Sequence, residues 1–68
     1  MVKLSLKAAR INANLDQKAA AKAIGVSNKT LGSWENGITS PPANKIPSII
    51  ELYGVPYDQL NFLPNNPL

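Results

Sequence analysis

Apolar residues recur along this 68-residue chain at spacings of three and four, the period of an amphipathic helix, and nowhere alternate convincingly as in a strand. In the first segment Leu4, Ala8 and Ile11, with Leu15 beyond, form one such stripe, which predicts a helix over residues 4–13. Leu6, Ala9 and Arg10 lie beside that stripe. Asn12 and Asn14 suit its end, where asparagine tolerates left-handed backbone. Asp16 is a good N-cap, so a second helix is expected over Gln17–Ile24, stopping at Gly25. Its apolar side is small, with Ala20, Ala21 and Ile24, while Lys18 and Lys22 form a solvated pair one turn apart. Ser27 caps a third helix, from Asn28 to about Glu35, that Gly37 closes. Gly32 inside it costs about 1 kcal/mol of helix propensity relative to alanine.

Residues 38–45 read as a loop, because Pro41 and Pro42 exclude regular helix there. Pro47 fits the first turn of a fourth helix, where its missing N–H is harmless. That helix carries Ile46, Ile49, Ile50 and Tyr53 and ends at Gly54. A short fifth helix is expected over residues 57–62, after Val55 and Pro56. Residues 63–68 contain two prolines and two asparagines and read as an extended tail or linker start. The expected fold is thus all-α, five short helices in one domain spanning residues 1–62.

Composition narrows the function more by what it lacks. With no cysteine there is neither a disulfide framework nor a thiolate metal site, and with no histidine the commonest metal ligand and general base is missing. No metal or other cofactor is expected. Residues 1–10 alternate lysines with apolar residues and do not read as a signal peptide, and no apolar run reaches the roughly 18–20 residues of a membrane span. A cytoplasmic location is the expectation. Net charge is only +3, but its distribution is uneven. Residues 1–34 hold six cations against the single carboxylate of Asp16, a charge of +5; residues 35–68 hold Lys45 against Glu35, Glu51 and Asp58, a charge of −2. A basic half backed by an acidic one suits a polyanion-facing side, though a chance surface imbalance would look the same.

The third helix carries the chemistry. Lys29 and Ser33 lie one turn apart, with Asn28 and Gly32 flanking them, while Leu31 and Trp34 project roughly opposite. A helix anchored by Leu31 and Trp34 with a polar Asn/Lys/Ser face meets the needs of a helix that reads the DNA major groove. Asparagine bonds adenine bidentately and lysine donates to guanine O6 and N7. The plainer alternative is a solvated helix face. Catalysis finds little support: Asp16 is accounted for as a cap, and a Lys29–Ser33 dyad would have no visible oxyanion site.

Gln17, Ala21, Gly25, Val26, Ser27, Thr30, Leu31, Trp34 and the run Glu35, Asn36, Gly37 together resemble the helix-turn-helix pattern of the Cro/C1-type (lambda-repressor-like, XRE) regulators of bacteria and phages. Arg10 and the pair Gly54 and Val55 also match, so the resemblance spans about residues 6–60, with the motif itself at about 17–36. It implies a compact lambda-repressor-like domain that binds double-stranded DNA as a transcriptional regulator, in the first instance a repressor. It places base contacts on Asn28, Lys29 and Ser33, with Ser27 contributing. Phosphate contacts fall on Gln17 and Asn36, and further ones on the loop around residues 39–45, including Lys45. Arg10 and Glu35 are implied as a structural ion pair. Because one motif covers only a half-site, a homodimer on a near-palindromic operator is expected. An antitoxin-like or protein-binding role is the alternative, with Ile38, Phe62, Leu63 and Leu68 as candidate interface residues. Two positions and one loop depart from the family pattern. Ala20 stands where leucine is usual, Pro56 where a serine cap is common, and the loop at residues 40–44 is about one residue longer.

Overall fold

Ser5 sets where the first helix begins. In the computed structural model, which describes residues 4–62, the Ser5 hydroxyl accepts the Ala8 backbone N–H at 3.0 Å. Helix α1 therefore runs Leu6–Asn12, and Leu4–Ser5 forms a two-residue strand, β1. The buried face shifts with it. Leu6, Ala9 and Arg10 are buried, whereas Ile11 is 53% exposed, so the expected stripe through Ala8 and Ile11 is corrected. Both stripes have helical spacing; the arginine decides between them, since its charge is satisfied inside the domain. Leu4 and Leu15 still pack on the core, but from the strand before α1 and the turn after it. Asn14 takes the left-handed conformation in that turn (φ 61°).

Helices α2 (Gln17–Ile24), α3 (Asn28–Glu35) and α4 (Ile46–Tyr53) occupy the expected segments. Each begins for a local reason. The Asp16 carboxylate accepts the Ala19 N–H at 2.7 Å, the Ser27 hydroxyl accepts the Thr30 N–H at 3.0 Å, and Pro47 sits in the first turn of α4. Gly25 closes α2 in the left-handed region (φ 92°), where a side chain would be strained. Between α3 and α4 the loop contains one 3-10 turn, Ala43–Lys45.

The core gathers Leu6, Ala9, Ala20, Ala21, Ile24, Leu31, Trp34, Ile49, Tyr53 and Leu60. Leu31, Ile49 and Leu60 are its largest fully buried side chains, each stabilising the fold by about 1.5–3 kcal/mol through burial. Ala20 and Ala21, both buried, lie on α2 where it packs against α3. Side chains that small let the two helices approach closely.

The segment after α4 departs from expectation. Instead of a fifth helix, Tyr57–Gln59 makes a single 3-10 turn and Leu60–Asn61 forms a strand, β2. It pairs in parallel with β1, Leu4 opposite Leu60 and Ser5 opposite Asn61. Two causes combine. Pro56 provides no side-chain cap for a helix start, and so short a helix is marginal without one. Extended backbone at Leu60 also carries its side chain into the core, where it is 2% exposed. The ring of exposed Tyr57 stacks on Phe62 at 5.3 Å between centroids. The architecture remains that of a helical domain, with four helices among the described residues and one short strand pair joining the first and last of them. The expected tail, residues 63–68, lies outside the described residues.

Candidate nucleic-acid interface

Helices α2 and α3 are joined by only Gly25, Val26 and Ser27, and the turn presents one side of α3 outward. Leu31 and Trp34 are buried beneath it. Asn28 and Lys29 are exposed at its first turn, and Ser33 is half-buried one turn on. Lys18 and Lys22 are exposed on α2, so the outward side of the two helices carries ammonium groups.

Beneath this surface lies a buried ion pair. Arg10 donates from Nε to Glu35 Oε2 at 2.7 Å and from Nη2 to Glu35 Oε1 at 3.3 Å. Its Nη1 donates to the Leu15 carbonyl at 2.8 Å. The two side chains are 10% and 2% exposed. The hydrogen bond to Glu35 raises the guanidinium pKa still further above its ordinary value, against the opposing effect of burial. Nearby, burial and then the Glu35 charge push the Tyr53 phenol up to about 12. Its hydroxyl is buried and has no hydrogen-bond partner among the described residues.

Glu35 reaches the surface through Gln17. Gln17 Nε2 donates to Glu35 Oε1 at 3.0 Å, and Gln17 Oε1 accepts a hydrogen bond from Asn28 Nδ2 at 3.0 Å. The polarity of this relay has a physical cause. An ionised carboxylate only accepts, so the Gln17 amide must turn its N–H₂ inward and its oxygen toward Asn28. Asn28 in turn spends one N–H on Gln17 and keeps the other, with Oδ1, for a partner. Gln17 thus lies along the 28–32–35 edge of α3, directly over Gly32.

Residues 6–60 match the family model described as helix-turn-helix. The chain belongs to the Cro/C1-type helix-turn-helix family. No curated protein and no solved structure matches it. Proteins of this family are DNA-binding regulators rather than enzymes, and this helix-turn-helix protein is a DNA-binding regulator on that ground.

Of the remaining candidate residues of this helix-turn-helix protein, Ser27 and Lys45 have side-chain bonds within the protein. Besides capping α3, the Ser27 hydroxyl donates to Thr30 Oγ1 at 2.9 Å, so its donor and its cap contact are both committed inside the helix. Asn36 caps the C-terminal end of α3 with its backbone N–H bonded to the Gly32 carbonyl; its side chain is on the surface. It borders a half-open depression of about 340 Å³ shared with Ser5, Trp34 and Asn61. Lys45 Nζ donates to the Ile24 carbonyl at 3.4 Å, at the negative end of the α2 dipole, and keeps two N–H groups for other acceptors. Of the loop N–H groups expected at phosphates, Thr39 and Lys45 already donate to the carbonyls of Ser33 and Pro42.

Sequence reasoning missed the Gln17–Asn28 contact and the third hydrogen bond to the Glu35 carboxylate, from Gln17. A partial signal was present: a buried glutamate has more acceptor capacity than one arginine fills. Among the described residues no group of acidic side chains is arranged to hold a metal ion, and no helix is long and apolar enough to cross a membrane.

Proposed function

We propose that this protein represses transcription by inserting α3 into the major groove of a near-palindromic operator, two copies binding together. The observation that carries this reading is Asn28, exposed at the first turn of α3 with one N–H bonded to Gln17, which leaves its second N–H and its Oδ1 for a partner. That donor–acceptor pair complements N7 and N6 of adenine, whereas guanine offers two acceptors at the same edge. Lys29 and Ser33 complete the reading face, and Ser27 contributes only if its internal bonds are exchanged. Gln17, Asn36 and Lys45 contact phosphates on either side, with the positive end of the α3 dipole adding to the attraction.

Selection of bound sequences from random duplex DNA tests the proposal. The wild-type protein should enrich one half-site, with adenine at the Asn28 position. Asn28→Ala and Lys29→Ala should each relax preference at one position, costing about 1–3 kcal/mol there. Unchanged selection profiles for both variants would remove α3 as the reader. Affinity should fall steeply with salt, as counterion release requires. A flat salt titration would favour the protein-partner alternative.

A further inference from the structure

Gly32 occupies the middle of α3 at a cost of about 1 kcal/mol relative to alanine, and nothing inside the protein requires it. Its backbone is ordinary helix, unlike Gly25, Gly37 and Gly54, which have positive φ. The three atoms nearest to a Cβ added there, leaving aside α3's own backbone and the adjacent residues, all belong to Gln17: Nε2, Oε1 and Cδ at 3.6, 3.7 and 3.9 Å. Those are ordinary van der Waals separations, so alanine fits. The glycine therefore leaves something uncovered, and the three neighbours say what: the carboxamide of Gln17.

That carboxamide still has a group to offer. Gln17 Nε2 gives one N–H to Glu35, its Oε1 accepts from Asn28, and its second N–H has no acceptor among the described residues. Helix side chains lean toward the N-terminus, so any side chain at position 32 would extend over Gln17 toward Asn28.

We propose that Gly32 is a gap kept for the DNA backbone, through which a phosphate oxygen reaches the remaining N–H of the Gln17 carboxamide. This rests on the DNA-reading proposal above and adds a determinant to it, a residue that acts by having no side chain. A phosphate suits the place because the free group is a donor, held in position by the buried carboxylate.

The test is a double-mutant cycle on the duplex that the wild-type protein selects, using Gly32→Ala, Gln17→Ala and the pair, with affinity and melting temperature measured for each. Gly32→Ala should melt a few degrees higher, from helix propensity. It should nonetheless bind about tenfold more weakly, the scale of one weakened charge-assisted bond. In the Gln17→Ala background the same substitution should change affinity less than about twofold, which is the signature of action through Gln17. Gly32→Leu should lose at least as much affinity as Gly32→Ala without melting lower. Full affinity in Gly32→Ala would overturn the proposal, as would an equal loss in both backgrounds or a lower melting temperature. If the wild-type protein selects no duplex sequence, the DNA-reading proposal fails with it, and that outcome is distinct from loss confined to the variants.

Discussion

Removing Arg10 strands a carboxylate. Glu35 is 2% exposed at its side chain and takes two hydrogen bonds from the guanidinium against one from Gln17. Arg10→Met keeps much of the bulk but leaves a buried charge with one neutral donor; Glu35→Leu leaves a buried guanidinium with only the Leu15 carbonyl. Losing one partner of a buried pair costs about 3–5 kcal/mol. A chain of this length has roughly 3–10 kcal/mol in total, at the usual stability per residue. Either single variant therefore sits near the edge of folding. Each kcal/mol moves the melting temperature of so small a domain by roughly 4–8 °C, so a thermal melt followed by circular dichroism should fall by at least about 12 °C. The double variant should recover much of the loss, because an apolar pair has no charges to desolvate. Recovery stays incomplete, since the Leu15 carbonyl loses its donor at 2.8 Å. Two single variants that melt within about 1 kcal/mol of wild type, the worth of an exposed pair, would refute the reasoning. So would a double variant no more stable than the worse single one.

Tyr53→Phe removes a buried hydroxyl that has no partner, so its melting temperature should match or exceed wild type. The folded Tyr53 keeps its proton up to about pH 12, whereas the unfolded phenol ionises near pH 10. The folded state then binds more protons in that window, stability falls as pH rises through it, and denaturant melts of Tyr53→Phe should show a smaller fall. Ser27→Ala should cost about 1 kcal/mol as a lost helix cap while leaving the selected base sequence unchanged; a changed sequence would make Ser27 a reader. Lys45→Met should lower stability by about 0.3–1 kcal/mol through the α2 terminus, and should flatten the salt dependence of binding if its ammonium also meets a phosphate.

Where a single residue type dictates local backbone, the sequence was sufficient. Asp16 and Ser27 as caps, Gly25 and Gly54 as left-handed stops and Pro47 in a first turn place α2, α3 and α4 where the structure has them. The two failures arise where tertiary contacts outvote local pattern. In α1 the apolar spacing admits two stripes, and the choice between them depends on Arg10 meeting Glu35, 25 positions away. In the segment after Pro56, Leu60 is equally apolar in a helix or a strand, and its pairing with Leu4 settles the matter. Neither partner is visible from a local window.

The outward face of α3 shows the same division at finer scale. Which residues lie outward on α3 follows from helical spacing alone, because Leu31 and Trp34 must be buried. Which atoms those residues present does not. Asparagine is symmetric to a sequence argument: it can offer donor or acceptor on either side. Its polarity here depends on Gln17, whose own polarity depends on a buried carboxylate that accepts from it and from Arg10. Three contacts thus run from a buried charge to an exposed amide, each leaving one arrangement for the next. A family pattern supplies the residues Arg10, Gln17 and Glu35 as separate roles, two structural and one at a phosphate. Their joint effect on the Asn28 amide exists only once the fold brings positions 10, 17, 28 and 35 together.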